Sequence, residues 1–146
     1  MINREFISRK ITLIQKELSH LKDYQGLAFD AIAGSYEKLA TVERALERII
    51  NRAIDVNNHL IAELATAKTA TPLEYADTFR SLVSLNIYPA AFANDIAKSV
   101  GTRNLLVHEY DSVDTKQVYT SIDDALRDYS AYCSYLLDFL EKMPVK

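Results

Sequence analysis

At 146 residues the chain is long enough to bury one sizeable core, and residues 1–146 are predicted to form a single domain. Its hydrophobic (49%) and charged (25%) fractions are globular averages, which argues against disorder. The formal net charge of -3 argues against a protein that coats nucleic acid through bulk charge. This net charge still allows a local positive pocket that binds one phosphate.

The single cysteine, Cys133, excludes an internal disulfide, and a cytoplasmic location is therefore expected. Cys133 lies in an apolar helical pattern and is interpreted as a buried packing residue. No basic-then-apolar leader opens the chain, and no apolar run approaches the ~20 residues that span a bilayer. We therefore expect a protein without a membrane segment.

Three long apolar stripes with helical spacing predict the main helices. The first helix is expected over residues 2 to about 24, the second from 36 to about 67, and the last after Asp114, its predicted N-cap. Ser35 is the predicted N-cap of the second helix, where Ile54 and Ile61 widen the stripe and indicate several neighbours. The three stripes consist of Ile7, Ile11, Ile14, Leu18 and Leu21; of Leu39, Val42, Leu46, Ile49, Ala53, Val56 and Leu60; and of Val118, Ile122, Ala125, Tyr129, Tyr132, Leu136 and Phe139.

Shorter helical patterns fill the rest of the chain. Residues 27–33 would form one or two helical turns, and a helix is predicted from 72 or 73 to 85 with Tyr75 and Phe79 pointing inward. Another helix begins near Pro89, and Gly101 is expected to weaken or bend it. With no segment alternating like a strand, the fold class is predicted to be all-α, an antiparallel bundle of four to five helices.

Two features of the helices leave alternatives open. Several tyrosines lie on or beside the last stripe, which favours a semi-polar interface of the kind found between subunits. Asp55 and His59, four residues apart on the second long helix, are close enough to hydrogen bond. They are either a surface or boundary pair or a support for an active cleft.

Residues 103–110 combine a guanidinium, an amide, an imidazole and a phenol. On an ideal helix at ~100° per residue, Arg103 and Tyr110 share one face, while Asn104 and His108 share another and can hydrogen bond. Residues 105–107 are left to anchor the segment in the core. About 140° separates Arg103 from His108. A bend near Gly101, or a second copy across a two-fold axis, is needed to bring both to one phosphate.

These groups suit RNA cleavage by the 2′-hydroxyl. Arginine clamps phosphate with its planar fork, and histidine gives or takes a proton near neutral pH. One such histidine per chain is too few for a separate acid and base, whereas a symmetric dimer supplies two. The scattered histidines and carboxylates predict no metal site, and no cofactor is expected. On the residues alone, a purely structural arginine and histidine remain the alternative.

The full pattern Arg-Asn-x-x-Val-His-x-Tyr at residues 103–110 closely resembles the signature of the HepT toxins, the DUF86 family of the HEPN superfamily. The superfamily hallmark is an arginine, then four to six residues, then a histidine, with a polar residue directly after the arginine, and Asn104 meets the polar condition. Residues 43–61 resemble the family's long second helix, and residues 72–79 its linker and third helix. Gly101 and Thr102 precede the motif where a more apolar neighbour would be expected.

The resemblance implies a homodimeric HEPN fold with the motif at the subunit junction. It implies a metal-independent toxin endoribonuclease, paired with a minimal nucleotidyltransferase antitoxin (MntA) that transfers AMP from ATP to the motif tyrosine. Carried over, Arg103 and His108 are catalytic, Asn104 orients the site and Tyr110 is modified. An AMP group on Tyr110, on the same helical face as Arg103, would repel an RNA phosphate. The alternative is a non-catalytic subunit that presents substrate or nucleotide to the nucleotidyltransferase.

Overall fold

The computed structural model describes residues 1–66, 69, 71–108 and 114–144, without the side chains of residues 107 and 108. Over these ranges the chain forms seven α-helices and no strand, which confirms the all-α prediction. No helix in this part of the chain is both long and apolar enough to cross a membrane. The helices are α1 (Arg4–Lys22), α2 (Phe29–Ala33), α3 (Tyr36–Leu64), α4 (Tyr75–Ser84), α5 (Ala90–Ala97), α6 (Ser99–His108) and α7 (Thr115–Lys142).

The three long helices α1, α3 and α7 are those predicted from the apolar stripes, and they begin at or close to the expected residues. Ser35 Oγ accepts a hydrogen bond from the backbone amide of Lys38 (3.2 Å), and Asp114 Oδ1 accepts from those of Lys116 and Gln117. Both caps satisfy amides that the first turn of a helix leaves without partners. The predicted N-caps are therefore confirmed.

Contacts between the long helices show that α1 runs antiparallel to both α3 and α7. Lys10 on α1 lies 2.9 Å from Asp55 on α3, and Glu17, further along α1, lies 3.7 Å from Arg48, earlier on α3. Arg4, in the first turn of α1, donates a hydrogen bond to the carbonyl of Leu140, in the last turn of α7. The start of α1 therefore lies beside the end of α7. Helices α4, α5 and α6 complete the bundle, and α4 and α6 both pack on α3. Helix α3 thus has neighbours on several sides, as its widened stripe predicted.

The helix predicted from residue 89 is interrupted at Lys98 rather than at Gly101, so the expected bend at Gly101 is wrong. Ser99 Oγ donates to the carbonyl of Ile96 (2.6 Å) and lies 2.7 Å from the Tyr129 hydroxyl on α7. A serine hydroxyl that bonds a carbonyl of the preceding turn competes with the helical amide and favours a bend. Gly101 lies within the first turn of α6.

Tyr129 and Tyr132, the tyrosines of the last stripe, lie inside the protomer, so these two do not form an interface between subunits. Tyr129 and Tyr132 are fully buried. The Tyr132 hydroxyl donates to Asn57 Oδ1 (2.6 Å), and Asn57 Nδ2 donates to Thr78 Oγ1 (3.1 Å). Burial raises the pKa of both phenols, so their hydroxyls stay protonated. These tyrosines carry no information about dimerisation, which stays a prediction.

Cys133 is packed into the same core with 2% of its surface exposed. Burial raises the pKa of its thiol to about 12. Because only the thiolate is an effective nucleophile, the side chain is inert at neutral pH. The interpretation of Cys133 as a packing residue is confirmed.

We expect Tyr132→Phe to lower the free energy of unfolding by about 1–3 kcal/mol, because it leaves the buried oxygen of Asn57 without its donor. Denaturant unfolding followed by circular dichroism measures the change. Tyr135→Phe is the matched control, since the Tyr135 hydroxyl has no hydrogen-bond partner among the described residues. Equal stability of the two variants would contradict the assignment.

Candidate functional site

Helix α6 is held in the bundle by one buried face. Leu106 and Val100 are buried in the core, and Leu105 is half-buried. Thr102, the departure from the expected apolar neighbour, is also buried, and its hydroxyl lies 3.4 Å from that of Ser121 on α7. A hydroxyl partner makes a polar side chain acceptable at this position. The anchored face leaves the next residue, Arg103, at the edge of the core.

Arg103 is half-buried and held from three sides. Its Nε donates to Asn51 Oδ1 on α3 (2.9 Å), and its Nη1 donates to Asn104 Oδ1 (3.2 Å). Its Cζ lies 5.1 Å from the centre of the Tyr75 ring at the start of α4, within the range of a cation–π contact. Side chains of α3, α4 and α6 therefore fix one guanidinium.

Among the described residues, the hydrogen-bond partners of the Arg103 guanidinium occupy Nε and Nη1. Nη2 of Arg103 has no hydrogen-bond partner within the described residues. Guanidinium hydrogen bonds to an anion are charge-assisted and roughly twice as strong as neutral ones. A fixed fork loses little side-chain entropy when it binds a phosphate oxygen.

The structure brings the side chains of Arg103 and Asn104 together. Asn104 is exposed and bonds Arg103, whereas its predicted partner was His108. The backbone of His108 ends α6, but the His108 side chain and the whole of Tyr110 lie outside the described residues.

Comparison with known proteins places the chain in a family. The family described as Ribonuclease HepT-like matches residues 14–136. The chain is also 36% identical over 134 residues to the tRNA nuclease HepT of Aphanizomenon flos-aquae, covering 92% of this chain and 89% of that protein. The chain belongs to the HepT-like ribonuclease family.

Solved structures share the fold of this HepT-like chain. The cytosolic protein YutE of Bacillus subtilis, of unknown function, superposes with a TM-score of 0.83 at 18% identity, over 99% of this chain and 96% of that one. The tri-AMPylated HEPN toxin of Shewanella oneidensis, in complex with an MNT antitoxin, gives a TM-score of 0.79 at 20% identity, over 93% and 99%. At these identities the likeness concerns the fold, which agrees with the HEPN-like prediction.

Two residues of the candidate site, Asn51 and Tyr75, were not recognised in the sequence. Asn51 lies within the wide apolar pattern of α3, and it was assigned no role from the sequence. An amide beside buried positions nevertheless indicates a hydrogen-bond partner. Tyr75 was assigned inward, but it is 47% exposed in the first turn of α4 and lies against Arg103. The inward assignment is wrong because Thr78 and Phe79 lie on the buried face of α4, whereas Tyr75 does not.

Asp55 and His59 do not bond each other in the HepT-like fold. Asp55 pairs with Lys10 on α1, and His59 Nε2 accepts a hydrogen bond from the backbone amide of Asn3 (2.9 Å). Both residues connect α3 to α1, whereas Asn51 connects it to α6. Their contacts agree with the boundary-pair alternative. Among the described residues, no group of three or more His, Cys, Asp or Glu side chains is placed to hold a metal ion.

We expect Asn51→Ala to release the Arg103 guanidinium, because it removes the acceptor of the Nε proton. Exchange of the Arg103 Nε proton with water, followed by NMR on arginine side chains, should then become roughly tenfold faster. Arg80 Nε, which donates to Asn94 on the exposed side of the bundle, is the internal reference and should not change. An unchanged Arg103 rate would show that Asn51 does not hold it.

Proposed function

We propose that this chain is the toxin endoribonuclease of a toxin–antitoxin pair, and that it cleaves RNA without a metal ion. Arg103 and His108 are its catalytic residues, and Asn104 orients the site. Membership of the ribonuclease family and the curated tRNA nuclease relative support the reaction class. The observation that carries the assignment to a site is the guanidinium of Arg103, fixed by Asn51 and Tyr75, whose Nη2 has no hydrogen-bond partner among the described residues.

The chemistry follows from the 2′-hydroxyl of RNA. Its oxygen attacks the adjacent phosphorus while a base takes its proton, and the 5′-oxygen leaves with a proton from an acid. The products are a 2′,3′-cyclic phosphate and a 5′-hydroxyl end. Arg103 would stabilise the additional charge on the phosphorane, and His108 would transfer a proton. A homodimer would supply the second His108, so that acid and base come from different protomers.

Regulation would act on Tyr110. In the proposed modification, the phenol oxygen attacks the α-phosphorus of ATP, pyrophosphate leaves, and the phenol proton is lost. The Shewanella oneidensis relative, AMPylated and in complex with its MNT antitoxin, supports a nucleotidyltransferase as the partner. The added phosphate would compete with RNA for Arg103. Because RNA and ATP are both required, we place the pair in the cytoplasm.

We expect Arg103→Ala and His108→Ala each to lower the rate of RNA cleavage by at least about 100-fold, since each removes a charge-stabilising or proton-transfer group. Cleavage in EDTA, with the product ends determined by mass spectrometry, measures the effect. Matched controls are Arg80→Ala and His20→Ala, both at exposed positions.

Circular dichroism and sedimentation show whether each variant keeps its fold and its association state. Wild-type activity in both motif variants would remove the motif from the mechanism. Cleavage by a monomer at the full rate would exclude the composite dimer site. Wild-type protein that cuts no RNA, yet still binds the nucleotidyltransferase, would establish the non-catalytic subunit instead.

Tyr110→Phe should keep nuclease activity within about fivefold but resist the antitoxin, because phenylalanine lacks the oxygen that accepts AMP. Incubation with the nucleotidyltransferase and ATP should inactivate the wild type and increase its intact mass. Tyr36→Phe, at an exposed position, should behave like the wild type. Inactivation of Tyr110→Phe together with the same gain in mass would place the modification elsewhere.

A further inference from the structure

A cleft of about 610 Å³ opens beside the Arg103 clamp. It lies between α3, the start of α4 and α6, and its walls include Asn58, Tyr75 and Asn104. Small-molecule sites in proteins fall in the range of roughly 300–1,000 Å³. The cleft therefore has room for a nucleoside.

The cleft and the clamp share two side chains. Tyr75 lies against the Arg103 guanidinium, and Asn104 accepts one of its hydrogen bonds, yet both residues also line the cleft. A phosphate bound to Arg103 would thus lie at the edge of the cleft. The group that reaches into it is the nucleotide attached to that phosphate.

The chemistry of the walls favours an uncharged, planar occupant. No lysine or arginine is among the described residues of the lining, and Glu74 contributes a carboxylate, so a second phosphate would be poorly bound. Asn58 has no hydrogen-bond partner among the described residues, and Asn104 uses its oxygen for Arg103. Amide groups with free donors or acceptors suit the polar edge of a nucleobase.

The backbone at the start of α4 provides a slot of suitable width. Leu73 and Tyr75 both line the cleft, and Glu74 between them is extended (φ -135°, ψ 163°). Their Cα atoms are about 6.6 Å apart, twice the rise per residue of extended chain. Stacked bases are spaced by about 3.4 Å, so one base fits between two such side chains. Leu73 is 90% exposed and has a free apolar surface for stacking.

We propose that this cleft binds the nucleobase next to the scissile phosphate of single-stranded RNA, between Leu73 and Tyr75, with its polar edge on Asn58 and Asn104. The inference rests on the proposed ribonuclease function and adds a subsite that selects the nucleotide. A base in a duplex is stacked and paired, so the cleft selects unpaired RNA. Among the described residues, neither Asn58 nor Leu73 forms a hydrogen bond or a ring contact with Arg103 or its partners. Both can therefore be varied without removing the partners of Arg103.

The test uses 2′-O-methyl RNA pentamers, which bind but cannot be cleaved through a 2′-hydroxyl. One series carries a single abasic sugar at each position in turn, and fluorescence anisotropy gives the dissociation constants. For the wild type, loss of the base at one position should weaken binding by about 5- to 150-fold, the range for one stacked base. In Asn58→Ala and Leu73→Ala this ratio should fall to about twofold or less.

Asn94→Ala and Leu137→Ala are matched controls at exposed positions outside the lining, and they should keep the wild-type ratio. If the wild type cuts RNA but the cleft variants keep its full discrimination, the subsite is overturned and the nuclease stands. If the wild type neither cuts RNA nor distinguishes the abasic series, both proposals fail. If Leu73→Ala changes the sedimentation of the protein instead of its RNA binding, Leu73 belongs to a protein interface and the subsite is overturned.

Discussion

The hydrogen bond from the Tyr132 hydroxyl to Asn57 joins the hydrophobic core to the candidate site. The Asn57 amide donates a hydrogen bond to the Thr78 hydroxyl on α4, and that hydroxyl donates to the carbonyl of Tyr75 (2.6 Å). The ring of Tyr75 then lies against Arg103. Because each buried side-chain polar atom in the described part of the chain has a hydrogen-bond partner, the start of α4 has one low-energy position relative to α3 and α7. The direction of the guanidinium depends on that position.

Helix α3 serves both the scaffold and the site. One flank forms ion pairs with α1, such as Asp55 with Lys10, and another presents Asn51 to α6. The amides at Asn51, Asn57 and Asn58 meet three different surroundings: the guanidinium, the core and the cleft. A reactive group supported by a long packed helix is held more closely than one supported by loops.

Much of the fold was predictable because its causes are local. Apolar stripes and caps such as Ser35 depend on residues a few positions apart, and they gave the three long helices. The break at Lys98 was not predictable in the same way, because Ser99 meets Tyr129 from a position 30 residues away. The local propensity of Gly101 indicated a bend at that residue, but the helix breaks at Lys98.

The site was predictable only in part for the same reason. The motif itself is contiguous, so Arg103 and Asn104 were found in the sequence. Asn51, 52 residues from Arg103, becomes its partner only when α6 packs on α3. Tyr75 followed an apolar pattern that continues into the core, and no local signal marks its contact with a cation. The roles of His108 and Tyr110 come from family resemblance, since they depend on groups outside the described residues.

The two hydrogen-bond acceptors that Arg103 has among the described residues are neutral amides, from Asn51 and Asn104. A carboxylate in either place would hold the guanidinium more strongly, but it would also cancel its charge and compete with an incoming anion. An amide oxygen fixes the direction of the fork and leaves the full unit of positive charge available. A chain with a formal net charge of -3 can thereby keep a concentrated positive potential at a single point on its surface.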